Sequence, residues 1–309
     1  MRAGAIRIGV DLGGTKIEAI ALGADGKVLA SRRVATPAHD YAAIPRAVAD
    51  LARALESETG GRASVGIGMP GAISPKTGLV KNSNTAALNG RPFGRDIAEA
   101  LGRPARIEND ANCFALSEAV DGAGAGARVV FGVILGTGVG GGLVMDGALM
   151  SGRNRIAGEW GHNPLPLMRE AEYPGRRCYC GHDGCIETFL CGGGLSREFY
   201  ARAGVSLKGE EIAARADASD AHALASLDAY RDRLARALAS VVNIVDPDVI
   251  VLGGGLSNIA RLYDGLERLV ESYAFSDALE TRVLRNVHGD SSGVRGAAWL
   301  WGGVRGEEK

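Results

Sequence analysis

The sequence predicts an α/β protein of two similar halves, with a ligand held in the cleft between them. Glycine is abundant, 46 of 309 residues, and gathers at Gly13-Gly14, at 136–142 and at 253–255. Each cluster follows an apolar β-type run, over 6–10, 129–135 and 249–252. A strand that runs into consecutive glycines must turn sharply or let its backbone approach a ligand closely. Three such units suggest loops converging on one polyanion; three unrelated tight turns are the competing explanation. The first two clusters also share one design, a strand, a glycine turn with a threonine, and a second strand, so the second half opens by repeating the first. A chain of this length with 46% hydrophobic residues has material for two cores. No Pro/Ser-rich linker separates them, which places the hinge in ordered structure near residue 120. The expected division is 1–120, joined by a C-terminal helix at 292–309, and 121–291, which carries a cysteine-rich loop at 158–187.

The elements follow in order. Strands are expected near 6–11, 17–22 and 27–34, the second from the alternation Ile17-Glu18-Ala19-Ile20. A helix at about 41–59, a buried strand at 64–69 and a helix–strand–helix run lead to about 120. The second half starts with a meander at 129–135, 142–146 and 148–150. Beyond the cysteine loop the longest helix lies near 220–244, with Leu224, Leu227, Leu234, Leu238, Val241 and Val245 on one face. Asp246-Pro247 ends it, and 249–252 forms a buried central strand. The last helix, about 292–301, carries Val294, Ala298 and Trp301 on one side.

The tip at 11–16, Asp-Leu-Gly-Gly-Thr-Lys, can offer backbone N–H groups, the Thr15 hydroxyl and the Lys16 ammonium to phosphates. It is not a Walker A loop. The second tip, 135–144, contains Gly-x-Gly-x-x-Gly, but Leu143, Val144 and Met145 continue a strand where a dinucleotide fingerprint requires a helix. A Rossmann site is therefore rejected. With 35 basic and 36 acidic residues intermixed, net charge −1, nothing suggests nucleic-acid or membrane binding. Residues 1–4 show no signal pattern and no apolar run approaches membrane-spanning length. Of five cysteines, three cluster and Cys113 and Cys191 stand apart, which suits a reducing, cytoplasmic location.

Cys178, Cys180 and Cys185 stand at C-x-C-x4-C spacing, with His162 upstream as a fourth ligand. Three thiolates and an imidazole suit a closed tetrahedral Zn²⁺ site. The alternative is three buried thiols or a disulfide; a Cys178–Cys180 bridge would be a strained short ring and would leave one thiol over. Glu159, His162 and Glu187 are tied to this loop, so the metal would hold polar groups in place.

The motifs taken together resemble the ROK family of sugar kinases, from Ile6 to Trp301. The residues that carry the likeness are D-L-G-G-T-K at 11–16, E-N-D-A-N at 108–112, L-G-T-G-V-G-G-G at 135–142, G-E-W-G-H-N-P at 158–164, C-Y-C-G-H-D-G-C-I-E at 178–187 and V-L-G-G-G-L-S at 251–257. The stretches 246–258 and 288–301 are most similar to the bacterial fructokinase (mannofructokinase) branch. ROK repressors carry a helix-turn-helix domain ahead of the first phosphate loop, and a loop starting at Asp11 leaves no room for one.

The resemblance implies an actin-like, ribonuclease H-like ATPase fold and an ATP-dependent hexose kinase that converts fructose to fructose 6-phosphate. A ROK kinase for glucose, mannose or N-acetylglucosamine is the alternative, and an inactive sugar-sensing protein a further one. It implies Asp110 as general base; because Asp110 precedes a helix expected from Ala111, an ordinary N-cap competes. Gly71, Asn84, Asn109, Glu159, His162 and Glu187 would contact sugar, with one His162 nitrogen on zinc and the other donating to a sugar hydroxyl. Asp11 would hold Mg²⁺. Gly13, Gly14, Thr15 and Lys16 would take one part of the ATP triphosphate, Gly136, Thr137, Gly138 and Gly140 another, and Gly253, Gly254 and Gly255 would flank the adenosine. The partners implied are hexose and ATP, with a homodimer as the assembly.

Overall fold

The computed structural model describes residues 6–302. The segment 1–4, read above for a targeting signal, and the 303–309 stretch of the expected C-terminal helix lie outside the described residues. Two compact units emerge. One consists of the described parts of Met1–Gly126, Gly142–Gly158 and Asp290–Lys309, the other of Ala127–Gly141 and Glu159–Gly289.

The first unit is built on β1 (Arg7–Leu12), β2 (Lys16–Leu22), β3 (Val28–Ala35), β4 (Ser64–Met69) and, after the small β5 (Ala72–Ile73) and β6 (Val80–Lys81) hairpin, β7 (Arg106–Asn109). The sheet order is β3-β2-β1-β4-β7. β1 pairs antiparallel with β2, and β4 lies parallel between β1 and β7. Helix α1 (Ala43–Thr59) buries Ile44, Val48, Leu51 and Leu55, one face at helical spacing, and ends at Gly60 in the left-handed conformation. With α2 (Phe93–Leu101) it covers one face, where Ile8, Val10, Val65 and Ile67 meet Phe93 and Ile97.

Helices α3 (Asp110–Val120) and α9 (Ser292–Trp299) belong to the same unit. The backbone of α9 sits directly on β1, because a Cβ on Gly9 would overlap the Val294 carbonyl. It sits as closely on α3, where a Cβ on Gly296 would overlap the backbone of Cys113. The helix ends two residues before the expected Trp301, whose indole donates to the Val65 carbonyl (2.6 Å) from the turn that follows.

The second sheet has the order β10-β9-β8-β11-β12, with β8 (Val129–Leu135), β9 (Val139–Met145), β10 (Ala148–Leu149), β11 (Val249–Gly253) and β12 (Arg282–Arg285). β11 is parallel to both β8 and β12. The strand expected at 142–146 starts earlier, at Val139, so the glycine run is mostly strand and the turn is confined to 136–138. Division at residue 120 also needs correction: Gly142–Gly158 groups with the first unit. Gly142 lies against Ala111, Asn112 and Ala115 of α3, closer than any side chain could come. Ser151 and Arg155 both hydrogen-bond Glu108.

The helices of the second unit are α4 (Ile186–Leu190), α5 (Gly192–Ala203), α6 (Gly209–Asp217), α7 (Ala221–Val245) and α8 (Leu266–Glu271). Asp220 caps α7 by accepting from the His222 and Ala223 amides. Leu227, Leu234, Leu238 and Val241 are buried as expected, while Leu224 and Val245 are only partly covered. Arg236 shares that buried face. Its guanidinium, 1% exposed, donates to Glu172, Asp232 and the carbonyls of Pro166 and Leu167, which fastens the segment ahead of the cysteine loop to α7. Among the described residues no helix is long and apolar enough to cross a membrane.

Candidate functional site

Antiparallel bridges Pro164–Cys185 and Arg177–Asp183 fold the cysteine loop back on itself. They bring His162, Cys178, Cys180 and Cys185 together with one donor atom each, all within 4.8 Å of one another. Cys180 Sγ is 3.5 Å from Cys185 Sγ, and Cys178 Sγ is 3.6 Å from His162 Nδ1. Bond lengths of about 2.3 Å to sulfur and about 2.0 Å to nitrogen at tetrahedral angles separate ligand atoms by about 3.5–3.8 Å. The donor set therefore fits Zn²⁺. Disulfides do not form, since all five cysteines are free thiols. A hydrogen bond from the His182 amide draws the Cys180 thiol down to about 6, while burial pushes Cys185 up to about 12.

Nδ1 faces the sulfurs, so His162 Nε2 is its outer nitrogen. It meets the Tyr179 hydroxyl at 3.0 Å, with the two rings edge to face at 5.1 Å. The sugar-facing nitrogen expected from the sequence thus has a protein partner in this structure. Partial desolvation and the carboxylates of Glu187 and Glu159 hold the Tyr179 phenol up at about 12.

Glu187, in the first turn of α4, accepts the Val139 N–H at 2.9 Å. A Cβ on Gly138 would lie 2.7 Å from the same carboxylate oxygen, so only glycine leaves Glu187 its place. The Gly192 amide at the start of α5 donates to the Gly136 carbonyl (2.8 Å), and the Trp160 indole donates to Gly140 (3.0 Å). The second glycine turn is therefore clamped from the cysteine-loop side. Thr137 is its exposed tip. Gly140, expected in the turn, lies inside β9 with its carbonyl occupied. Gly254 abuts the same turn: at φ 81 its missing Cβ would lie 2.5 Å from the Leu135 carbonyl. Gly253 ends β11 beside Ile134, and Gly255 faces open space. Two of the three glycine clusters therefore converge within one unit.

The first unit carries the other candidates. Gly14, Thr15 and Lys16 form the exposed β1–β2 tip, closed by the Gly13 N–H donating to the Lys16 carbonyl at 3.0 Å. Asp11 pairs across the hairpin with Glu18. Burial and that neighbouring carboxylate push the Asp11 carboxyl above its ordinary value, against the pull of Lys16. Glu18 is itself taken by Arg33 (2.6 Å) and Lys16 (3.6 Å), which leaves Asp11 as the carboxyl suited to a cation such as Mg²⁺.

Asp110 is the first residue of α3, and the cap is Asn109, whose Oδ1 accepts from the Ala111 and Asn112 amides. Asn109 Nδ2 donates to the Gly71 carbonyl at 3.3 Å, which leaves one N–H for a ligand. Asn84 is exposed, and turn capping nearby is done by Asn89, bonded twice to the Ser83 backbone. Gly71 is required by its own turn, at φ 80 with Ser83 N 2.7 Å from where a Cβ would sit. Sequence reasoning passed over two residues here. Glu108 is buried and accepts from the Asn109 amide, the Asn112 side chain, Ser151 and Arg155, so it anchors the β7–α3 junction. The Thr85 hydroxyl is buried without a hydrogen-bond partner and lies 3.4 Å from where a Gly14 Cβ would be.

A family model described as the ROK family matches residues 7–304. The chain belongs to the ROK family, and its paired sheets with their shared strand order are those of the actin-like ATPase fold. It is 43% identical to the N-acetyl-D-glucosamine kinase of Erwinia tasmaniensis over 94% of this chain and 98% of that one. Among solved structures it is similar to a ROK hexokinase from Thermus thermophilus (TM-score 0.84, 31% identity, 95% of this chain and 96% of the other). A ROK glucokinase from Streptomyces griseus, solved with glucose and AMPPNP, matches at TM-score 0.77 and 28% identity, over 96% and 99% of the two chains.

The relative at 43% identity is named for N-acetyl-D-glucosamine, and the likeness to the fructokinase branch is corrected accordingly. The stretches that carried it form β11 with its following turn and α9, which packs on β1 and α3. They report how the sheets and helices fit, and none of the sugar-side candidates lies in them.

Proposed function

We propose that the protein is an ATP-dependent N-acetyl-D-glucosamine kinase. It is a sugar kinase of the ROK family that uses Asp110 as general base. The observation that carries the substrate is the 43% identity, over nearly the whole of both chains, to a kinase named for that sugar. The arrangement of the site supports the chemistry. Asp110 stands at the start of α3, where its Oδ1 shares the Ala111 amide with Asn109, on a junction anchored by Glu108. It accepts the proton of the sugar hydroxyl as that oxygen attacks the γ-phosphorus, and the P–O bond to ADP breaks. Asn109, Glu159, His162 and Glu187 hydrogen-bond the sugar, with Asn84 at the margin. The tips Gly14-Thr15-Lys16 and Gly136-Thr137-Gly138 hold the triphosphate, and Gly253 to Gly255 lie against the adenosine.

Phosphoryl transfer needs positioning and charge neutralisation above all, and these loops provide both. Asp11 would hold Mg²⁺, which when bound neutralises phosphate charge. The His162–Cys178–Cys180–Cys185 set would hold Zn²⁺, which keeps Glu159, His162 and Glu187 in one orientation. Free thiols and the need for ATP support a cytoplasmic location.

A coupled ADP-release assay across N-acetyl-D-glucosamine, glucose, mannose and fructose tests the reading. The highest kcat/KM is expected with N-acetyl-D-glucosamine. A clear preference for fructose would restore the branch read from the sequence, and no hexose-dependent ADP release would end the kinase assignment.

A further inference from the structure

We propose that Tyr179 is a specificity-determining residue of the sugar site, its hydroxyl standing in for the one sugar hydroxyl that hydrogen-bonds His162 Nε2. This rests on the sugar-kinase reading and adds to it a residue to which the motifs assigned no role. Tyr179 sits between two metal ligands, Cys178 and Cys180, yet contributes no ligand atom to the set. Its side chain is 77% exposed, so core packing does not explain an aromatic ring at this position. What orders it is the 3.0 Å hydrogen bond to His162 and the edge-to-face contact of the rings.

The stoichiometry of protons makes the two partners exclusive. With Nδ1 directed at the Cys178 sulfur, a metal-bound Nδ1 carries no proton, and Nε2 carries the only one. Tyr179 and a sugar hydroxyl cannot both accept it in good geometry. The phenol offers a hydroxyl, the same functional group a sugar presents. It can leave without disturbing the metal loop, because Cys178 is held by its own backbone bonds, its N–H to the His182 carbonyl and its carbonyl from the Gly181 amide.

Two consequences follow. A sugar that uses His162 must displace Tyr179 and forfeits one hydrogen bond, which weakens its binding about 2- to 10-fold. A sugar lacking that hydroxyl leaves Tyr179 in place and His162 satisfied, so Tyr179 softens discrimination against the deoxy sugar.

The test is Tyr179→Phe, with sugar binding followed by calorimetry and zinc content by elemental analysis. The variant should keep its zinc, bind N-acetyl-D-glucosamine about 2- to 10-fold more tightly, and leave the KM for ATP where it was. In a monodeoxy series, one analogue alone should show no gain, and that analogue identifies the hydroxyl read by His162. Unchanged or weaker sugar binding overturns the proposal, as does loss of zinc, which would make Tyr179 only an orienting partner of His162. If the wild type phosphorylates a hexose and Tyr179→Phe shows no gain, Tyr179 alone is misassigned. If the wild type binds no hexose, the functional reading falls and the proposal with it.

Discussion

Asn109 and Asp110 both accept the first amide of α3, the Ala111 N–H lying 2.9 Å from an oxygen of each. Asn109 Oδ1 accepts from Asn112 as well (3.3 Å), so the larger part of the capping falls to it. Asp110→Asn keeps size and polarity but removes the base, so kcat should fall about 10²- to 10⁴-fold with both KM values within a few-fold of wild type. Steady-state kinetics with near-normal kcat would remove Asp110 from the role. Glu187 is engaged on two sides: one carboxylate oxygen accepts from Val139 at the second glycine turn, and the residue follows Cys185 by two positions in the cysteine loop. Glu187→Ala should therefore raise the KM for sugar and for ATP together, about tenfold each for the loss of a charged hydrogen bond. Thr137→Ala, at the exposed tip, should raise only the KM for ATP. An Glu187→Ala defect restricted to sugar would show that the Val139 contact carries no energy.

At the level of elements, the cysteine loop is held at one point by the buried cluster of Glu172 with Arg236 and Arg233, and zinc on His162, Cys178, Cys180 and Cys185 would hold it at a second. Burial alone would raise the Glu172 carboxyl, but hydrogen bonds from Arg236, the Arg169 amide and Arg233 overcome it and hold the group at about 2. The unfolded chain binds that proton near 4.5, so the stability contributed by Glu172 is complete above about pH 4.5 and is lost as the pH falls toward 2. Denaturant titrations of wild type and Glu172→Gln across this window should converge at the acid end. At pH 7, Glu172→Ala leaves a guanidinium that is 1% exposed without its main partner and should cost about 3–5 kcal/mol. The metal end is tested separately. Wild-type protein should carry one zinc per chain, and Cys178→Ser or Cys185→Ser should lose both the zinc and part of the fold, since binding energy in such sites is folding energy. Zinc-free protein with an unchanged melting temperature would contradict this.

The whole molecule depends on a helix near the end of the chain closing the unit that the first strand begins. α9 reaches β1 and α3 only because Gly9 and Gly296 present no side chains there. Gly296→Ala places a methyl group in backbone that cannot move away without lifting α9. The expected cost is about 3 kcal/mol or more, beyond ordinary overpacking because the obstacle is main chain. Calorimetry should show a lower melting temperature, and a neutral result would mean that α9 packs less closely. Asp11 lies under the same helix, its carboxyl carbon 4.0 Å from where a Gly293 Cβ would be, so a loosened α9 should also weaken dependence on Mg²⁺.

Local chemistry was legible in the sequence wherever one short segment contains all the atoms that act together. The three thiols and their loop glycines, the hairpin tip at 11–16 and the strand–glycine pattern are of this kind, since spacing along the chain sets spacing in space. The duplicated strand–turn–strand design likewise announced two related sheets, and their common order bears this out. Tertiary structure decided what depends on contacts between distant segments. It moved Gly142–Gly158 into the first unit, because Glu108 reaches Ser151 and Arg155 across more than forty residues of chain. It made Asn109 the cap of α3, brought Glu187 onto the second glycine turn and Tyr179 onto His162. Hydrogen bonds of this sort depend on direction and on which partner arrives first, and composition and periodicity carry neither.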